Sequence, residues 1–175
     1  MISSRQHKDK LLILVSRFPF PLDKGDKLRV FHQLKELHNY YDITLFAISD
    51  HAPTSDEIET VKDYCSELII HRQTLVQKSW NTFKSVLNKL PFQVGYFYSK
   101  SAHNKIKVLI KDNSYKHIYC QLIRMSEYVK NEHTITKTLD YMDTLSAGIQ
   151  RRIEHQSFFK RWLFKSEAKR LRSYE

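Results

Sequence analysis

The sequence predicts an α/β protein built on an open, mostly parallel sheet with helices on both faces. Short apolar runs of strand length recur along the chain, and amphipathic stretches of helical period separate them. In a chain of 175 residues, 41% hydrophobic and 13% aromatic content suffices for one domain with a real core, and alternating strands and helices argue for βαβ crossovers.

The elements follow in order. Leu11–Val15 reads LLILV, a continuous apolar run suited to a strand buried on both faces. An irregular loop with Pro19, Pro21 and Gly25 leads into a helix whose stripe is Leu28, Phe31, Leu34 and Leu37. Ile43–Ile48 is the second strand. A turn over 50–54 containing Pro53 ends in Thr54, an N-cap for a short helix over 55–64. Glu67–His71 is the third strand. The next helix runs from about Leu75 to Leu90, with Trp80, Phe83, Val86 and Leu87 spaced along one face, and Pro91 ends it. The aromatic segment Phe92–Tyr98 fits neither a helix nor a strand template. A helix over Ser101–Lys111, a fourth strand His117–Gln121 and a fifth strand Thr136–Asp140 come next, and helices close the chain.

Parallel strands bring their carboxyl ends to one edge, where such sheets bind ligands. The loops of interest are therefore 17–27, 49–54, 121–127 and 140–146.

The formal net charge of +10 favours anionic partners: phosphates, nucleotide sugars, nucleic acid or an acidic membrane surface. Among these, nucleic acid is disfavoured, because the basic residues are dispersed and no helix-turn-helix, RRM or zinc pattern is present. Cys65 and Cys120 lie far apart without a CxxC pair, which predicts two buried thiols in a reducing compartment. The nine histidines form no HExxH motif or close pair, so no metal is expected. Neither GxGxxG nor GxxxxGK[ST] occurs, and no cofactor is expected. The first apolar run is too short for a signal peptide, and no stretch approaches a spanning helix, so the expected location is cytoplasmic.

Gly25, between Lys24 and Asp26, admits two readings. It is a tight-turn glycine at positive φ, or it lets the backbone approach an anion held by the first amides of the following helix, with Lys24, Lys27 and Arg29 nearby. The closing stretch from Phe158 to Tyr174 mixes Trp162, Leu163 and Phe164 with Lys160, Arg161 and Lys165. It reads either as a helix packed on its own domain or as a basic aromatic surface for an anionic membrane.

The segment ILVSRFPFPLDKGDKLRVFHQLKELHNYYDITLFAIS resembles the amino-terminal part of bacterial glycosyltransferases of the GT-B fold, glycosyl transferase group one or family four. IYCQLIRMSEYV and TKTLDYMDTLSAGIQRRI agree with the same family, whose members often carry a glycine pair where this chain has Lys24–Gly25. The resemblance implies a single amino-terminal, acceptor-side Rossmann-like domain over 1–175, one half of a GT-B fold, without the carboxyl-terminal donor domain. It implies transfer from a nucleotide sugar to a saccharide or lipid-linked acceptor, as in polysaccharide assembly, retaining and metal-free, with the isolated domain inactive. Peripheral contact with the inner face of the membrane goes with such acceptors. Carried onto this sequence, Lys24, Gly25, Asp26, Lys27 and Arg29 surround the donor phosphate and sugar. Arg17 and Arg124 lie at the acceptor cleft, and Asp140 and Asp143 are the candidate catalytic carboxylates. The alternative for both aspartates is helix capping or a surface turn, and for Arg124 a plain surface position. A non-catalytic interaction domain of the same architecture is the other function class; a basic nucleic-acid-binding module ranks below both.

Overall fold

A computed structural model describes residues 8–87, 90–142, 144–154 and 156–175. They form a five-stranded, all-parallel sheet in the order β3-β2-β1-β4-β5, an α/β Rossmann-like architecture. The strands are β1 (Asp9–Val15), β2 (Tyr41–Ser49), β3 (Glu67–Arg72), β4 (His117–Gln121) and β5 (Thr136–Asp140). The helices are α1 (Gly25–Leu37), α2 (Ser55–Lys62), α3 (Leu75–Leu87), α4 (Phe92–Phe97), α5 (Lys100–Asp112), α6 (Leu145–Ile153) and α7 (Phe158–Tyr174), with a 3-10 turn over Ile123–Tyr128. The five expected strands are all present.

Alternation along β1 builds two cores, because successive side chains point to opposite faces. Leu11, Ile13 and Val15 pack with Val30 and Leu34 of α1 and Val61 of α2. Leu12 and Leu14 pack on the other face with Phe46, Ile118, Cys120 and the α5 residues Ala102 and Ile106. The LLILV run is continuous because both faces of this central strand are covered.

Thr54 caps α2 as expected: its side chain accepts from the Glu57 amide while the Glu57 carboxylate accepts from the Thr54 amide. The segment Phe92–Phe97, which fitted no template, is the short helix α4, packed so tightly on α3 that a side chain at Gly95 would run into Ser85. Helix α3 is described to Leu87, and residues 88 and 89 lie outside the described set. Its orientation is unusual. Lys78 and Ser85 are buried, whereas Leu75, Val76, Trp80 and Phe83 are exposed, so its apolar stripe faces outward. The expectation of two buried thiols is corrected at one position. Cys120 is buried, but Cys65 is only half-buried in the turn after α2, with its thiol donating to the Val61 carbonyl.

Helices α6 and α7 form a hairpin around Ile149, Ala168 and Leu171. Helix α7 is fastened to the rest by Glu167, which accepts from the Phe92 and Gln93 amides at 2.9 and 3.1 Å, and by Tyr174, which donates to Glu127 at 2.6 Å. Trp162 and Leu163 of α7 stay exposed.

Candidate functional site at the carboxyl edge of the sheet

The loops after β1, β2, β4 and β5 all open at the edge where the strands' carboxyl ends gather, as the topology requires. Gly25 is the first residue of α1 and does not adopt a positive φ, which removes the tight-turn reading. A Cβ built on it meets nothing within 4 Å. Among the described residues, the amides of Gly25 and Asp26 donate to no group, while Lys27 N reaches the Asp26 carboxylate at 3.2 Å. Lys24 takes the N-cap position without a side-chain cap. The start of α1 therefore carries two undonated N–H groups at the positive end of the helix dipole, beside open space at the Gly25 Cα.

The charged residues expected around this turn separate into three groups. Lys27 is buried and folds back, donating to Asp23 at 2.8 Å and to the Phe20 carbonyl at 3.3 Å, so it ties the loop together. Arg29 points to β5, where it grips Asp140 with two hydrogen bonds of 2.8 and 3.0 Å. Asp26 pairs with Arg17 at 2.5 Å and lies 4.0 Å from Arg124, and its carbonyl accepts from Gln121 at the end of β4 at 2.5 Å.

Asp140 is fully engaged. Besides Arg29, it accepts from Tyr119 Oη at 2.6 Å and Gln33 Nε2 at 3.2 Å. Burial opposes its ionisation, but these hydrogen bonds prevail and hold the carboxyl below its ordinary range. Asp143 lies outside the described residues, and the N-cap of α6 is Thr144.

Arg124 is not a plain surface residue. Its side chain is 13% exposed, its Nη2 donates to Gln93 Oε1 at 3.0 Å, and its Nε and Nη1 are buried without a hydrogen-bond partner. Burial and the neighbouring Arg17 push its pKa down to about 10, with Asp26 opposing. Leu122, two residues earlier, has φ 64° and ψ 153°. That backbone region is close to glycine-only and costs a non-glycine residue about 1–3 kcal/mol. The strained residue is the pivot between β4 and the turn that carries Arg124.

Residues that sequence reasoning did not single out complete the edge. Lys78 of α3 is buried, its Nζ 3.3 Å from Asp50 Oδ2. Burial pulls the Lys78 pKa down, Asp50 opposes, and Arg17 and Arg124 add to the lowering. Burial works against the Asp50 carboxylate, yet His51 and Lys78 hold it at about 2. Phe97 lies among the cations: the guanidinium carbons of Arg17 and Arg124 stand 5.5 and 4.9 Å from its ring centroid, and Lys78 Nζ stands 4.9 Å from it. A cavity of about 200 Å³ beside them is lined by Arg17, Lys24, Lys27 and Asp50 among others. A wider groove of about 630 Å³ lies elsewhere, beside α1 over β4, and its lining includes Leu11, Tyr41 and His117 near the amino ends of the strands.

No grouping of three metal-ligating side chains occurs among the described residues, and none of their helices is long and apolar enough to cross a membrane. No family model matches the chain, and no curated protein matches it. Among solved structures, the crystal structure of TcCGT1 in complex with UDP is similar, with 15% identity and a TM-score of 0.47, covering 86% of this chain. The chain spans 32% of that protein's length, and likeness at this identity concerns the fold alone.

Proposed function

We propose that this chain is the amino-terminal, acceptor-side half of a GT-B glycosyltransferase, which moves a sugar from a nucleotide-sugar donor to a saccharide or lipid-linked acceptor in polysaccharide assembly. The observation that carries the reading is the start of α1 at the carboxyl edge, where two undonated amides adjoin the open space at the Gly25 Cα. The resemblance of the β1–α1–β2 segment supports it independently.

In this reading a second domain holds the nucleotide, and this half alone does not catalyse transfer. The α1 amides and Lys24 face the donor phosphates, whose leaving oxygen gains negative charge as the glycosidic bond breaks; fixed donors at that point stabilise the transition state. Retention and independence from metal and cofactor follow from the family resemblance. Asp140, saturated by four hydrogen bonds from three residues, acts as a positioning group that fixes Arg29 and Tyr119, and Asp143 remains the candidate for orienting the acceptor hydroxyl. Work at the cytoplasmic face of a membrane fits two surfaces. One is the outward stripe Leu75, Val76, Trp80 and Phe83, with Lys84 Nζ 5.4 Å from the Trp80 ring; the other is the exposed Trp162 and Leu163 among the basic residues of α7.

Gly25→Ala tests the reading in the natural full-length protein. The added methyl meets no protein atom, and replacing a helical glycine at negative φ stabilises the fold by about 0.5–1 kcal/mol. The expected result is an unchanged or raised melting temperature with nucleotide-sugar turnover reduced about tenfold or more. Turnover equal to that of the unaltered protein removes the α1 turn from the site. Absence of turnover with every nucleotide sugar favours the non-catalytic interaction domain.

A further inference from the structure

Cations at the carboxyl edge outnumber the carboxylates that face them. Arg17, Lys78 and Arg124 converge on Phe97, while Asp26 and Asp50 are the acids paired to them. Lys27 adds nothing to this balance, because it is matched by Asp23. Asp50 is also shared with His51. Lys78 is 2% exposed in its side chain and Arg124 13%, so water screens neither effectively.

Unmet hydrogen-bonding capacity gathers at the same edge. Arg124 Nε and Nη1 are buried without partners; so are Ser16 Oγ, directly after β1, and Gln73 Oε1, directly after β3. Buried polar groups are normally paired, and a concentration of orphans at the ligand edge is what a site lacking its ligand retains. The strained Leu122 backbone adds a third feature, since such conformations cluster where a side chain is aimed for function. A fold selected for stability alone would place an apolar residue at Lys78, whose neighbours along the buried side are already enclosed.

We propose that Arg17, Lys78 and Arg124, grouped around Phe97, form a receptor for an oxyanion on the acceptor, so that the acceptor of this transferase is acidic: a phosphate ester or a sugar carboxylate. This rests on the transferase reading and deepens it, because it adds a second anion site beside the donor turn at Gly25, the two being joined through Asp26. The unpartnered Nε and Nη1 of Arg124 each supply an N–H donor, Lys78 a point charge, and Ser16 a hydroxyl donor. Phe97, itself buried, gathers the three cations around one ring. The oxyanion offsets the excess charge, and a neutral acceptor leaves it uncompensated.

Calorimetric titration of the 175-residue chain with inorganic pyrophosphate, with glucuronate and with uncharged glucose tests this. The chain is expected to bind at least one of the two anions and not glucose. That affinity should fall about tenfold or more in both Lys78→Met and Arg124→Met, variants whose melting curves report that they fold. Lys24→Gln, at the donor turn, should retain it. Preference for pyrophosphate assigns the receptor to a phosphate ester, and preference for glucuronate to a sugar acid. Anion binding that disappears in Lys24→Gln and persists in Lys78→Met and Arg124→Met overturns the inference while leaving the donor turn intact. Failure of both anions to bind overturns it as well, and turnover of the full-length protein then decides the transferase reading separately.

Discussion

Replacing Lys78 with methionine should make the protein more stable. The ammonium stands 4.9 Å from the Phe97 centroid, and the guanidinium carbons of Arg124 and Arg17 stand 4.9 and 5.5 Å from the same point. Neither cation is therefore farther than about 10 Å from Lys78, and at an effective dielectric constant of about 20 each repels it by about 1.7 kcal/mol or more. Asp50, at 3.3 Å, attracts on the same scale by about 5 kcal/mol. Its side chain is 44% exposed, however, and solvent screening reduces a pair of that kind to about 1 kcal/mol. The burial cost of the ammonium comes on top, and the downward pull on the Lys78 pKa, led by burial, has the sign this balance requires. Methionine fills much the same volume without charge, and Asp50 keeps its contact with His51. Arg17, 32% exposed and paired with Asp26, is screened in its turn, so the net gain is about 1–2 kcal/mol, which raises the melting temperature by about 2–8 °C in a domain of this size. Scanning calorimetry at neutral pH and low salt, in a buffer free of phosphate, measures it. A melting temperature lowered by several degrees would refute the reasoning, because it would mean that the Asp50 pair outweighs the crowding of cations.

Two further outcomes follow from the packing. Burial, with a smaller contribution from Lys105, lowers the pKa of His71, which stacks on Phe46 and lies 3.3 Å from Ser99 Oγ. The unfolded chain then takes up a proton near pH 6.5 before the folded one does, so stability falls as pH drops below that value; thermal melts should show a shallower loss between about pH 7.5 and about pH 5.5 in His71→Gln. On the outer side of α3, Trp80→Ser combined with Phe83→Ser removes two stacked, exposed rings and should weaken binding to vesicles containing anionic lipid about tenfold, with the fold intact; equal sedimentation with vesicles for variant and parent would exclude this surface from membrane contact.

The sheet was legible because its central strands are covered on both faces, which writes continuous apolar runs such as LLILV and ITLFAI into the sequence. Helix α4 was not, since Phe92–Phe97 spans under two turns and includes a glycine whose purpose is close packing against Ser85. The periodicity of α3 announced two faces without saying which medium each one meets; contacts with Asp50 and the Tyr98 carbonyl draw its polar face inward. For the same reason Lys78 escaped notice, as a lysine within a helix ordinarily reads as solvated. The loops that hold Arg17, Asp26 and Arg124 were visible from topology, because any parallel sheet delivers them to one edge, while the family resemblance singled out the residues within them. The partners of Arg29 were not, since Asp140 lies 111 residues away and only strand order brings it beside α1.

Glu167 of α7 grips the Phe92 and Gln93 amides, and the Gln93 side chain in turn accepts from Arg124. Two consecutive hydrogen-bonded links through Gln93 thus join the last helix to the guanidinium at the sheet edge. Pulling or tilting α7, as docking onto another surface would do, transmits force through a lever one residue wide and re-aims the arginine without touching it.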